Sequence, residues 1–289
     1  MRKILVLMLA LIMALSCMTA MAEETEGGWK NILLLGGDAR DMTDFGRTDC
    51  MMILSINREE ALVKMTSIMR DTWVSIPGHG NQKINAAQLF GGPELAVQTV
   101  NENFGTDIED YVMVNMEDLA QVVDLFGGVM VDVSENERKV ANQYISDYFR
   151  DSTNVAPYVG ETSINATGLI RLNGIQAMSY CRDRYTGSDF DRVMRQQEVL
   201  KAMASEAQNM EVDALMDIAG QVSDIVSTNM EKEELKELAT SMMVMEMEDV
   251  QQYRIPADGA FKSGTFDGTW MIKADLAKNQ ELLKQFIYG

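Results

Sequence analysis

An α/β layered domain with a mostly buried sheet is what this sequence predicts, and three observations carry the reading. Short runs of Ile, Leu, Val and Met recur at 31–35, 51–56, 62–67, 111–114 and 129–133. Segments of helical character fall between them, and Gly or Pro punctuates most of the junctions. Strands that read as apolar throughout, alternating with helices, belong to sheets covered on both faces.

Taken in order, the run at 31–35 closes on Gly36-Gly37, a strand ending in a turn. Residues 51–56 and 62–67 read as a strand pair joined by 57–60. Pro93 at a first turn and Phe104-Gly105 at an end bracket a helix. A strand at 111–114, a helix at 117–126 and, after Gly127-Gly128, a strand at 129–133 follow. Residues 134–171 are polar and patternless, with Pro157 and Gly160, and read as a surface excursion. Helices at 173–180 and 188–209 and a helical stretch to about residue 247 come next. Strands near 252–255 and 270–273 and a helix at 274–287 end the chain. No linker divides it, so residues 23–289 read as a single domain.

Composition narrows the function. A chain of 289 residues, 46% of them hydrophobic, suffices for one sizeable core. Arg2 and Lys3 precede an uncharged stretch over 4–22, which Glu23 and Glu24 end. Ala20-Met21-Ala22 suits signal cleavage, while the length also approaches the roughly 20 residues of a membrane span. Residues 1–22 are therefore a signal peptide or an N-terminal anchor, and both place the folded part outside the cytoplasm, secreted or at the membrane surface. The net charge of -19 argues against a nucleic-acid partner. Cys50 and Cys181 read as two free thiols rather than a disulfide framework. The single histidine, His79, reads as a turn residue in Pro77-Gly78-His79-Gly80 and speaks against a histidine zinc site or a Ser-His-Asp triad. A metal here is expected to be a hard cation held by carboxylates, magnesium or manganese.

Against that acidic background Arg182, Arg184, Arg192 and Arg195 lie within fourteen residues. Guanidinium forks match phosphate oxygens two at a time, so the cluster reads either as a pocket for a phosphate or pyrophosphate or as a solvated helix face with internal ion pairs. Ser188 suits an N-cap, and Asp189, Arg192, Arg195 and Gln196 recur at three- and four-residue spacing on one face. Gln197 and Glu198 then fall on the opposite, solvated side. Asp189 is a candidate proton acceptor or a plain first-turn acid. Asp38 follows the first strand and Asp49 precedes the second, so the two acids can converge at one sheet edge or serve as turn residues with Arg40 and Arg47 as solvated partners. Arg70-Asp71 follows a strand and is a structural ion pair or an anion-facing arginine held by its neighbour. Lys83 is a further cation in a loop.

These segments, taken together, resemble the LytR-CpsA-Psr family of bacterial cell-wall glycopolymer transferases. The resemblance rests on NILLLGGDAR (31–40), GRTD (46–49), SIMRDTWVSIPG (67–78) and KINAA (83–87). It continues through YVMVNMEDLAQVVDLFGGVMVDV (111–133), LNGIQAMSYCRDR (172–184), DFDRVMRQQEVLKA (189–202), RIPADG (254–259) and FIYG (286–289). It implies a three-layer α/β/α sandwich around a mixed central sheet, with a hydrophobic pocket for a polyprenyl chain. It implies transfer of a phosphate-containing glycopolymer, of the teichoic acid type, from a polyprenyl-pyrophosphate carrier to peptidoglycan, with magnesium at Asp38 and Asp49. The implied phosphate contacts are Arg47, Arg70, Lys83, Arg182, Arg184, Arg192 and Gln196, with Arg70, Arg182, Arg184 and Asp189 carrying the chemistry. A pyrophosphatase or phosphatase using water in the same pocket, and a carrier without turnover, are the competing expectations. Met69 departs from the family's usual proline before Arg70.

Overall fold

The computed structural model describes residues 28–37, 46–151, 160–183, 185–187, 189–242, 245 and 250–289, with residues 151, 189, 190 and 242 described by their backbone alone. The stretch 1–22, Asp38, Arg40, Arg184 and Ser188 lie outside the described residues. Among the described residues no helix is long and apolar enough to cross a membrane.

A six-stranded mixed sheet is built from β1 (Trp29–Gly37), β2 (Thr48–Asn57), β3 (Leu62–Ile68), β6 (Asp110–Val114), β9 (Ser227–Thr228) and β10 (Gln251–Ile255), in the order β10-β3-β2-β1-β6-β9. β1, β2 and β3 form an antiparallel meander, while β6 joins β1 and β10 joins β3 in parallel. Register explains why the strands read as unbroken apolar runs. Leu33 opposite Ile53 and Leu35 opposite Met51 face α1 (Ala86–Phe104) and α8 (Leu276–Tyr288). Ile32 opposite Leu54 and Leu34 opposite Met52 face α5 (Asp189–Gln208) and α7 (Lys232–Met242). Both faces are covered, giving the three layers expected. A further core joins α2 (Met116–Leu125), β7 (Val129–Val133), α3 (Glu135–Asp151), β8 (Gly168–Leu172), α4 (Gly174–Cys181) and Val199 of α5.

Several elements depart from the sequence reading. The supposed excursion 134–171 holds α3 and β8. The Ser134 amide donates to Glu137 at 3.0 Å and the Glu137 amide to Ser134 Oγ at 3.4 Å, a capping box that nucleates α3. Helix α1 starts at Ala86 rather than Pro93, but Gly91 and Gly92 leave the helical region and Pro93 opens its second segment. Gln197 and Glu198 are not on a solvated side: Gln197 is buried, and Glu198 accepts from the Tyr180 hydroxyl at 2.8 Å. Hairpins β4–β5 (Trp73–Ile76, Gly80–Lys83) and β11–β12 (Phe261–Phe266, Thr269–Ala274) and the helix α6 (Val212–Ile225) complete the described chain.

The last helix is tied to the first three described strands. Lys64 of β3 donates to the carbonyls of Phe286 at 2.7 Å and Ile287 at 2.9 Å, closing α8 with a cation at its negative end. Asn31 of β1 donates to Asp107 at 2.7 Å and to the Tyr288 hydroxyl at 2.9 Å, and accepts from Ser55 at 2.6 Å.

Gly174, inside the LNGIQ segment, opens α4 directly against α2. A Cβ there would lie 1.9 Å from the Ala120 carbonyl oxygen. Gly174→Ala is expected to destabilise the protein by about 1–3 kcal/mol through overpacking, read as a lower urea midpoint at unchanged slope.

Candidate active site

The site begins with a fault in the β1–β2 ladder. The strands pair one to one as far as Gly36 opposite Cys50, and then Gly37 pairs with Thr48. Asp49 is the extra residue of a β-bulge, a device that bends a strand and re-aims a side chain at a sheet end. The approach is close: a Cβ on Gly36 would meet Cys50 Cβ at 2.9 Å, so glycine alone fits.

Alternating charges meet around this bulge. Arg70, in the turn after β3, donates through Nη1 to Asp49 Oδ1. Its Nε lies 3.8 Å from Asp71 Oδ2, and Lys83 Nζ, at the end of β5, lies 2.6 Å from Asp71 Oδ1. Arg192 of α5, only 2% exposed, donates through Nη2 to the Asp49 carbonyl oxygen at 3.5 Å. The backbone of the KINAA segment holds these pieces in place. The Asn85 amide donates to the Arg70 carbonyl at 3.3 Å, the Asn85 carbonyl accepts from the Thr48 amide at 3.4 Å, and the Ile84 amide donates to the Thr72 carbonyl at 2.8 Å. Gln197 of α5 donates to Ser67 Oγ at 2.8 Å and seats the helix over β3.

A cleft opens here, walled by Asp49, Cys50, Ser67, Arg70, Arg192 and Gln196 and closed on one side by Ile272 of β12. Of the residues expected from sequence, Asp49, Arg70, Arg192 and Gln196 thus converge, and Asp71 links Lys83 to them. Arg182, the C-cap of α4, lies outside this wall and stacks over the Tyr144 ring at 5.2 Å. Arg47 is exposed beside Thr48. Asp189 begins α5 five residues after Arg184, with its side chain undescribed. Arg195 has a different duty from its neighbours: it is buried, donates to the Asp183 carbonyl at 2.6 Å and pairs with Glu137 at 3.4 Å. Asn85, Ser67 and Ile272 were not legible as site residues, because backbone bonds and cross-strand position carry no sequence signature.

The two described cysteines, Cys50 and Cys181, are free. Burial pushes the Cys50 thiol up to about 12, with Arg192 opposing and Asp49 reinforcing the shift. Burial likewise raises Cys181. Neither is a nucleophile poised at neutral pH.

A cleft that gathers two guanidinium groups and two carboxylates at the end of a mixed sheet, beneath a helical layer, defines an α/β/α protein with a charged site. The LytR_cpsA_psr family profile matches residues 16–287, and the chain belongs to that family. It is 38% identical over 223 residues to a protein of Oceanobacillus iheyensis named polyisoprenyl-teichoic acid--peptidoglycan teichoic acid transferase TagU. That match covers 73% of this chain and 62% of the relative's length. The fold is similar to the crystal structure of B. subtilis TagT, with a TM-score of 0.69 and 26% identity over 92% of this chain and 93% of that one. It is equally similar to TagT bound to LIIa-WTA, with a TM-score of 0.69 and 25% identity over 92% and 94% of the two chains.

Two measurements separate scaffold from site. Arg195→Ala removes the buried donor to the Asp183 carbonyl and the cation facing the half-buried Glu137, and should cost about 1–3 kcal/mol, seen as a reduced denaturant midpoint. With a thiol pKa of about 12, roughly 1 in 10⁴ Cys50 side chains is thiolate at pH 8. Iodoacetamide at that pH should therefore leave Cys50 and Cys181 unlabelled in the folded protein and label both after denaturation, as counted by mass spectrometry.

Proposed function

We propose that this protein transfers a phosphate-containing glycopolymer of the teichoic acid type from a polyprenyl-pyrophosphate carrier to peptidoglycan, at the outer face of the cytoplasmic membrane. One observation carries the reading: Cys50 lies at the junction of a charged cleft that holds two arginines and an apolar row. On one side it walls the cleft with Arg70 and Arg192. On the other it continues a row of partly exposed apolar side chains, Leu34, Leu54 and Val112, on the sheet face beneath α5 and α7. A ligand with a charged head and a long hydrocarbon tail meets both kinds of surface at once. The name of the Oceanobacillus relative, a polyisoprenyl-teichoic acid--peptidoglycan teichoic acid transferase, supports the same substrate class.

In this reading an acceptor sugar hydroxyl attacks the phosphorus bonded to the donor glycan. A new P–O bond forms, the P–O bond to the polyprenyl phosphate breaks, and that phosphate departs with the electron pair. The hydroxyl proton passes to Asp189, with Asp49 as the other candidate. Arg70 and Arg192 on the cleft wall, joined by Arg182 and Arg184 from the adjoining segment, stabilise charge that spreads over the phosphoryl oxygens. Arg47, Lys83 and Gln196 orient the pyrophosphate.

Magnesium is part of the proposal. Among the described residues no group of three or more His, Cys, Asp or Glu gathers to hold a metal. Asp49 nevertheless presents a carboxylate on the cleft wall, and magnesium often takes only one or two protein carboxylates, completing its shell with phosphate oxygens and water. Asp38 and Asp49 would hold it, manganese being the alternative ion, and when bound it neutralises the pyrophosphate and improves the leaving group.

Arg70→Ala and Asp49→Asn are each expected to lower turnover of a lipid-pyrophosphate-linked glycan by about 10² to 10³, with the fold unchanged by circular dichroism. Parent-level turnover in both Arg70→Ala and Arg184→Ala would overturn the assignment. Phosphate release at full rate without a glycan acceptor would instead make the protein a hydrolase.

A further inference from the structure

The β11–β12 hairpin carries an aromatic side chain that the donor site does not use. Trp270 is 53% exposed, whereas Trp29 is 5% exposed within the core. The hairpin that presents it is rigid: Asp267 and Gly268 have φ of 50° and 78°, the left-handed pair that a two-residue turn requires. Phe266 pairs with Thr269, Thr265 with Trp270 and Ser263 with Ile272.

Position on the hairpin connects Trp270 to the cleft. Residues two apart on a strand share a face, so Trp270 lies on the same side as Ile272, about 7 Å along the strand. Ile272 closes the wall beside Arg70 and Asp71, and its amide donates to the Asp71 carbonyl at 2.9 Å. The cross-strand partners on that face, Ser263 and Thr265, are exposed hydroxyl residues. An indole flanked by two hydroxyls, continuous with the wall of the reaction cleft, is not an apolar patch for a protein or for acyl chains. It matches a sugar ring, which offers a flat C–H face to the indole and a rim of hydroxyls to its neighbours.

We infer that this face of the β11–β12 hairpin is the acceptor subsite, where Trp270 stacks a sugar ring of a glycan strand and positions its hydroxyl toward the cleft. The inference rests on the transferase reading for its place in the reaction, and on the hairpin alone for glycan binding. Trp270 is a positioning residue: it touches the acceptor away from the reacting atoms.

The test uses the full chain, teichoic-acid-free peptidoglycan sacculi and N-acetylglucosamine oligomers as glycan probes, and polyprenyl pyrophosphate as the donor-site probe. Trp270→Ala should weaken cosedimentation with sacculi about tenfold, the order of a lost aromatic stack, and raise the acceptor KM by a similar factor. Its polyprenyl pyrophosphate affinity should stay at the parent value, and Trp270→Phe should keep most of the glycan binding. Glycan binding and acceptor KM unchanged in Trp270→Ala would overturn the subsite while leaving the transferase reading intact. Trp270-dependent glycan binding in a parent protein that transfers nothing would uphold the subsite and sink the transferase reading.

Discussion

Arg70, gripped by Asp49 on one side and flanked by Asp71 on the other, is the contact on which the arrangement around the cleft depends. Asp49 reaches it from a bulge in β2, Asp71 follows it in the chain, and Lys83 balances Asp71 from β5. Charges this sheltered are expensive unless each meets its opposite, and the alternation of acid and base meets that cost. An anion entering the cleft finds Arg70 already extended and oriented, so little side-chain entropy is lost on binding.

Much of this was readable from residue order, and the failures have identifiable causes. The run at 31–35 is a strand with both faces covered, so apolar continuity located it, whereas the run at 129–133 buries Val129, Val131 and Val133 and exposes Met130 and Asp132. The 134–171 segment misled because α3 packs through only part of its surface and its polar remainder drowned the periodicity, although Ser134 and Glu137 carried a capping signal. Asp267-Gly268 was likewise a hairpin signal for β11–β12 that the sequence reading passed over. The arginine cluster was legible as a group but not in its division of labour. Arg192 turns toward Asp49 while Arg195, three residues on, is spent on Asp183 and Glu137. Spacing puts both on one helical face; only packing says which neighbour each meets.

Family membership and geometry meet at Cys50. The thiol is too basic for chemistry at neutral pH, and its position matters more than its reactivity. It stands where charged wall gives way to apolar wall. The methionines follow the same division: Met51 and Met113 fill the core beneath α1, while Met52 and Met65 lie under α5 and α7. These four are core residues on the two sides of the sheet.

The bond from Lys64 to the last carbonyls of α8 has a further consequence. With Asn31, Ser55 and Tyr288 it fastens the final helix to the first three described strands, so that helix and those strands belong to one cooperative unit. Losing the last turn of α8 would strip a buried ammonium of its acceptors and loosen β3, the strand that leads directly into Arg70. Damage at the carboxyl end is thereby transmitted to the mouth of the cleft.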